Sequence, residues 1–379
     1  MSSTFTRTDT SLLSRWWWTI DRWTLAAVVS IAVLGVILVT AASPAVAERI
    51  GLGSFHFVYR HLAFLPLAFA IMLGVSLLPP RAVRRLSLLV FAGSLVGMML
   101  VLVIGVEVKG ATRWLTFAGF SLQPSEFIKP SFAVIAAWLF SAQKLEHEVP
   151  GNWIATALFA LVVVLLLAQP DFGMTAVVSF VWAVQFFISG MPLVYVGALA
   201  LLFILGGFGA YLGFDHVRHR IDLFLDPASG KGYQVERALD AFQNGGLFGR
   251  GPGEGRVKEV LPDAHTDFIL AVAGEEFGLI LCLVILGLFG FVVLRGFTRV
   301  YKDSDFFVVL AAVGLLAQFA LQAIVNIAST TNLIPPKGMT LPFISYGGSS
   351  TIALAYGMGM ILALTRVRPG SQHGRRRVR

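Results

Sequence analysis

Apolar runs follow one another along almost the whole chain, at residues 23–42, 57–78, 86–106, 126–142, 153–168, 172–190, 192–213, 267–294, 305–328 and 344–365. A helix needs roughly 20 predominantly apolar residues to cross a hydrocarbon core. The fourth to sixth runs are short or interrupted by polar residues, so the number of spans is about ten. Only helices and closed barrels satisfy all their backbone N–H and C=O groups in lipid. No segment series alternates with the period of two that a barrel requires. Charged residues make up 13% of the 379, against roughly 25% in a soluble domain. The expected fold is all-α: a polytopic helical membrane protein with about ten transmembrane helices.

Charge placement orients the bundle, because cytoplasmic loops collect Lys and Arg. With ten spans and an internal N-terminus, Arg7, Arg15, Arg22, Arg81, Arg84, Arg85, Lys144, Arg295, Arg299, Lys302 and the tail Arg366–Arg379 fall on one side. The short loops opposite hold only Arg49, Lys109, Arg113 and Lys337. Both termini are therefore expected in the cytoplasm, with residues 1–22 and 367–379 as tails around one transmembrane domain, 23–366. The net charge of +8 then reads as this bias plus a tail that can meet anionic lipid, rather than as a nucleic-acid surface. Ala45-Val46-Ala47 resembles a signal-peptidase site, but the apolar run before it exceeds the usual 7–15 residues and nine more runs follow. Retention as a span is expected. The single cysteine, Cys282, can form no intrachain disulfide. Three longer pieces, 107–125, 214–266 and 329–343, emerge on the external face, the largest between spans seven and eight. Gly- and Pro-rich backbone there is suited to lining a cavity.

Ionisable groups at membrane depth cost about 2.5–3.5 kcal/mol each on insertion scales, so each one is a functional candidate. Asp267 opens span eight beside His265 and Asp263. An N-cap explains one acid there, while a base at the mouth of a cavity explains the crowding. At 1.5 Å per residue along a continuous helix, Glu275 and Glu276 fall near mid-bilayer, either as structural acids bonded to neighbouring helices or as functional ones. Glu126 and Lys129 are spaced to pair on one helix face, after a Gln123-Pro124-Ser125 start with proline in the first turn. Arg113-Trp114 suits an interfacial anchor or a phosphate-binding arginine. Arg60, beside His61, either snorkels or reaches an anion. Gln318, Gln322 and Asn326 share one face of span nine, as interhelical hydrogen bonding requires. The glycine-rich stretch 244–259 lacks P-loop and dinucleotide spacing. It is either a flexible loop or a set of N–H groups around an anion. No zinc spacing, G-x-S-x-G or Cys–His pattern is present, so hydrolase and metalloprotease readings have no support.

Five stretches in order, GATRWLTFAGFSLQPSEFIK (110–129), QPDFG (169–173), GRGPGEG (249–255), LPDAHTDFILAVAGEEFG (261–278) and PPKGMTLPFISYGGSS (335–350), resemble the SEDS family (shape, elongation, division and sporulation). The last is more similar to the division branch (FtsW-like) than to the elongation branch (RodA-like). The resemblance implies a glycosyltransferase that polymerises lipid II into peptidoglycan at the division septum of the bacterial cytoplasmic membrane. It implies Asp267 as the catalytic acid–base residue and Arg60, Arg113, Glu126 and Lys129 as the pyrophosphate-binding set. His265, Glu275, Glu276, Lys337 and Ser345 are the implied supporting residues. It leaves metal ligands unassigned, with or without a divalent cation (Mg2+ or Mn2+). The implied partners are a class B penicillin-binding transpeptidase (FtsI-like) and other division proteins. A lipid II flippase and a non-catalytic division scaffold are the competing readings.

Overall fold

The computed structural model describes residues 11–108, 111–117, 120–145, 149–213, 218, 221–222, 233–301 and 303–367. Arg7, Lys109, Lys302, most of 214–232 and the tail after Val367 lie outside them. The described helices are α1 (Leu12–Thr19), α2 (Arg22–Arg49), α3 (His56–Ser76), α4 (Pro80–Ile104), α5 (Pro124–Leu145), α6 (Gly151–Ala168) and α7 (Phe172–Ile188). They continue with α8 (Leu193–Gly213), α9 (Tyr233–Gly245), α10 (Val257–Val260), α11 (Ile269–Val300), α12 (Phe306–Thr330) and α13 (Gly348–Leu364). Each apolar run coincides with one helix. Six of them, α2, α3, α4, α6, α11 and α12, are long and apolar enough to cross a bilayer. The helices α7 and α13 are shorter, at 17 residues each, and α5 carries Glu126, Lys129 and Lys144.

Burial separates the helices into a centre and a rim. In α12, 67% of the most apolar window is buried inside the protein, against 22% for α6. All but one residue from Ser349 to Leu364 of α13 is buried, as is most of α5. These three pack on one another, and α3 and α4 close over them. Peripheral helices keep large apolar side chains outward, among them Leu89, Val164 and Leu283, which in lipid needs no partner.

One departure from all-helix is local. Residues 107–125, expected as irregular loop, form a small antiparallel sheet of β1 (Val106–Val108), β2 (Ala111–Phe117) and β3 (Phe120–Leu122). Trp114 pairs with Val106 and Thr112 with Glu107, which leaves Arg113 as the extra residue of a bulge. A bulge re-aims the side chain that it displaces.

At the opposite end, part of the expected tail is the separate helix α1. Trp16 Nε1 donates to Ser76 Oγ at 2.8 Å, and the Val367 N–H donates to Thr19 O at 3.1 Å. Buried Asp21 accepts from Arg295 at 2.9 and 3.0 Å and from Arg299 at 3.3 Å, tying α2 to the far end of α11. Burial pushes this carboxyl up, but the Arg295 hydrogen bond and the Arg299 charge together outweigh it and hold Asp21 below the usual carboxylate range. A depressed carboxylate contributes stability above its unfolded pKa and loses it as pH falls through the folded one. Asp21→Asn is therefore expected to lower the detergent melting temperature at pH 7, by the equivalent of roughly 1–2 kcal/mol, since the arginines are partly solvated. The difference from wild type should close only below about pH 4; an equal melting temperature at pH 7 would remove the bridge from the account.

Candidate active site

The first cluster grows from the start of α5. Pro124 begins the helix and Glu126 lies in its first turn, where an acid meets the positive dipole end. Glu126 Oε2 and Lys129 Nζ are 2.8 Å apart, with side chains 7% and 2% exposed. Lys129 Nζ also donates to Gln322 Oε1 of α12 at 3.1 Å. Gln322 Nε2 in turn donates to Thr340 O at 3.2 Å. Of the face expected for Gln318, Gln322 and Asn326, Gln322 makes an interhelical bond and holds a candidate site residue in place.

Arg113, aimed by its bulge, meets the 169–171 turn between α6 and α7. Its Nε donates to Gln169 O at 3.3 Å, its Nη2 to Pro170 O, and its Nε lies 3.6 Å from Asp171 Oδ2. Asp171 caps α7 by accepting from the Met174 N–H at 3.2 Å. Burial pushes its carboxyl above the usual carboxylate range, against the pull of the Arg113 charge, and the charges of Glu126 and Lys129 reach it as well. Arg113, Asp171, Glu126 and Lys129 therefore form one electrostatic neighbourhood. Asp171 lies in QPDFG, whose local pattern implies no role for it, because its partner lies far away in the chain.

The second cluster is the Asp267 turn. Asp263 adopts φ 55°, and its carbonyl accepts from the N–H groups of Thr266, Asp267 and Phe268 at 3.0, 3.1 and 3.3 Å. This turn is locked from outside. Asn326 Nδ2 donates to Asp267 O at 2.9 Å, Ser345 Oγ to Thr266 O at 2.5 Å, and the Tyr346 N–H to His265 O at 2.9 Å. The His265 ring packs on Phe57 of α3, centroids 4.1 Å apart, and on Tyr346 at 5.5 Å. Arg60 of α3 lies close enough for its charge to act on Tyr346. His265 and Ser345 thus both lie against the Asp267 turn.

The 335–343 segment joins the two clusters. A Cβ placed on Gly338 would sit 3.6 Å from Asp267 Oδ2, and one on Gly173, next to Asp171, would sit 3.7 Å from Lys337 O. The segment Lys337–Met339 therefore runs between the aspartate and the cationic neighbourhood, and Asn326 fixes it by donating to Met339 O at 2.6 Å. Elements remote in sequence, β2, α3, α5, α7, α12 and the 263–267 turn, converge on one polar region. Asp267 itself is half-buried.

Glu275 and Glu276 are buried acids bonded within the protein. The helix α11 breaks at Gly278, with φ 77° and ψ −176°, two residues beyond Glu276. Both acids end the first half of α11 and bond to the 253–256 loop and to the short helix α10. Glu275 accepts from the Arg256 and Val257 N–H groups at 3.0 Å each, and Glu276 from the Gly253 N–H at 2.9 Å and from Lys258 Nζ at 2.5 Å. The anion cradled by the glycine-rich stretch is thus the protein's own pair of carboxylates. Among the described residues no group of three or more His, Cys, Asp or Glu is arranged to hold a metal ion. Glu126 and Asp171 already face Lys129 and Arg113, so the residues do not fit a resident Mg2+ or Mn2+ centre.

Comparison with known proteins agrees on one lineage. The family model FtsW/RodA/SpoVE, described as cell cycle protein, matches residues 22–369. A probable peptidoglycan glycosyltransferase FtsW of Caulobacter vibrioides is 46% identical over 368 residues, 97% of this chain and 94% of the relative. That of Coxiella burnetii is 34% identical over 367 residues, 92% of this chain and 96% of the relative. A chain of a peptidoglycan synthase complex, described as coordinating polymerization and crosslinking, superposes with TM-score 0.74 at 26% identity, covering 91% of this chain and 97% of that one. The crystal structure of Thermus thermophilus rod shape determining protein RodA gives TM-score 0.67 at 27% identity, covering 92% and 97%.

Proposed function

Because the chain belongs to the FtsW, RodA and SpoVE cell cycle protein family, we propose that it polymerises lipid II at the polar region between Asp267 and the Arg113–Lys129 neighbourhood. It is a multi-pass membrane protein and a peptidoglycan glycosyltransferase of the FtsW-like division branch. In the proposed reaction the 4-hydroxyl oxygen of the acceptor GlcNAc attacks the anomeric carbon of the donor. Its proton passes to an Asp267 carboxylate oxygen, the new C–O bond forms, and the bond from the anomeric carbon to the pyrophosphate oxygen breaks. The polyprenyl pyrophosphate leaves with the bonding electrons. Lys129, Arg113 and Arg60 stabilise the charge that develops on it, the work that preorganised donors do in a water-poor site. Glu126 holds Lys129 in register, and Asp171 does the same for Arg113. A divalent cation, where used, arrives with the pyrophosphate, and no step is assigned to it.

The observation that supports this reading is the arrangement across Lys337–Met339: a solvent-reachable carboxylate on one side and two paired cations on the other. The proposed setting is the cytoplasmic membrane at the division septum, with both termini in the cytoplasm and the site outside. A crosslinking enzyme is the expected companion, specifically a class B penicillin-binding transpeptidase (FtsI-like) together with other division proteins. Purified protein given labelled lipid II, with and without that transpeptidase, tests the reading by gel separation. Glycan polymer is the expected product. Its absence even with the transpeptidase present would leave a flippase or a scaffold as the better account.

A further inference from the structure

The helix break at Gly278 is stitched by distant backbone. The N–H groups of Leu279 and Ile280 donate to Gly246 O and Leu247 O at 2.9 and 3.3 Å, and the carbonyls of Glu275 and Glu276 accept from Arg250 and Gly251 at 2.9 and 3.0 Å. The approach is too close for side chains: a Cβ on Gly278 would lie 2.4 Å from Gly249 N, and one on Gly255 would lie 2.9 Å from Glu276 Cγ. Over this seam sit the two carboxylates, both 1% exposed, which take the N–H groups of Gly253, Arg256 and Val257. Lys258 supplies the charge at closest range, bonding Glu276 and also Gly253 O at 3.1 Å. Residues 258 to 276 are thereby a loop closed at its base, and the Asp263–Asp267 turn is its tip. Closing a loop at its base removes conformations from everything between the closing points.

We propose that Lys258, acting through Glu276, and Glu275 beside it are positioning residues that fix the Asp267 turn for transfer. This rests on the reading of Asp267 as the base. Two adjacent buried carboxylates stay ionised only with a full set of donors. Removing the ammonium leaves Glu276 one backbone N–H against its own charge and that of Glu275, and the base of the loop opens. Misplacing a reacting group by about 1 Å lowers rate on the order of 100-fold. Substrate affinity, set by cations on other elements, stays.

The test uses full-length protein in detergent with labelled lipid II, comparing wild type, Lys258→Met and the double variant Lys258→Met/Glu276→Gln, which removes both charges at near-constant volume. Lys258→Met should lower kcat roughly 10- to 100-fold with KM within about twofold, and it should speed amide hydrogen exchange at residues 266–268. The double variant should restore both. A fall in kcat that only follows the folded fraction, with exchange at 266–268 unchanged, would overturn the proposal. If wild type made no polymer, the transferase reading would fall, while the exchange comparison would still decide whether the clamp holds the turn.

Discussion

Replacing Lys129 by Met is expected to lower lipid II polymerisation roughly 100- to 1,000-fold, the effect of losing one donor aimed at developing charge. The same change should destabilise the protein by about 3–5 kcal/mol, because it strands a buried Glu126 carboxylate. Those two losses have separate causes and should separate in experiment. Glu126 and Lys129 face each other at 2.8 Å with both side chains nearly buried, so Glu126→Gln/Lys129→Met removes the stranded charge together with the cation. The double variant should recover most of the melting temperature and almost none of the activity. Recovery of both would make the pair a structural device that lets α5 enter the bundle. Its bond to Gln322 would then serve helix packing and nothing more.

The site's two halves differ in how far they could be read from sequence. Glu126 and Lys129 lie three residues apart, and helical spacing alone makes them neighbours. The polar face of α12 is equally legible, since Gln322 and Asn326 follow a four-residue step. What that face holds is not, because Lys129, Met339 and Asp267 arrive from other parts of the chain. Asp171 shows the same limit: its ion pair with Arg113 joins a turn to a bulged strand that local pattern does not announce. The partners of Glu275 and Glu276 are hidden for a sharper reason. Glycine is common in transmembrane helices, and Gly278 in GEEFGLI carries no mark of a break. The break is stable only because residues 246–251 supply replacement hydrogen bonds, a long-range fact. The glycines of 244–259 were visible as a group, but their use, close approach to a second backbone, follows from the same seam.

Asp267→Asn should abolish polymerisation, with a loss on the order of 100- to 10,000-fold, the range attributable to a general base. The turn's fixed points involve backbone at 265–267: the carbonyls of His265, Thr266 and Asp267 accept from Tyr346, Ser345 and Asn326. Asparagine therefore keeps these backbone anchors and the side-chain shape while removing the basic carboxylate. Lipid II binding and association with the transpeptidase should persist. The decisive measurement is glycan polymer formed from labelled lipid II by purified wild type and Asp267→Asn, each matched for melting temperature and tested with the transpeptidase present. Polymer from wild type and none from the variant is the predicted result; equal polymer from both would contradict Asp267 as the base and with it the proposed chemistry of the site.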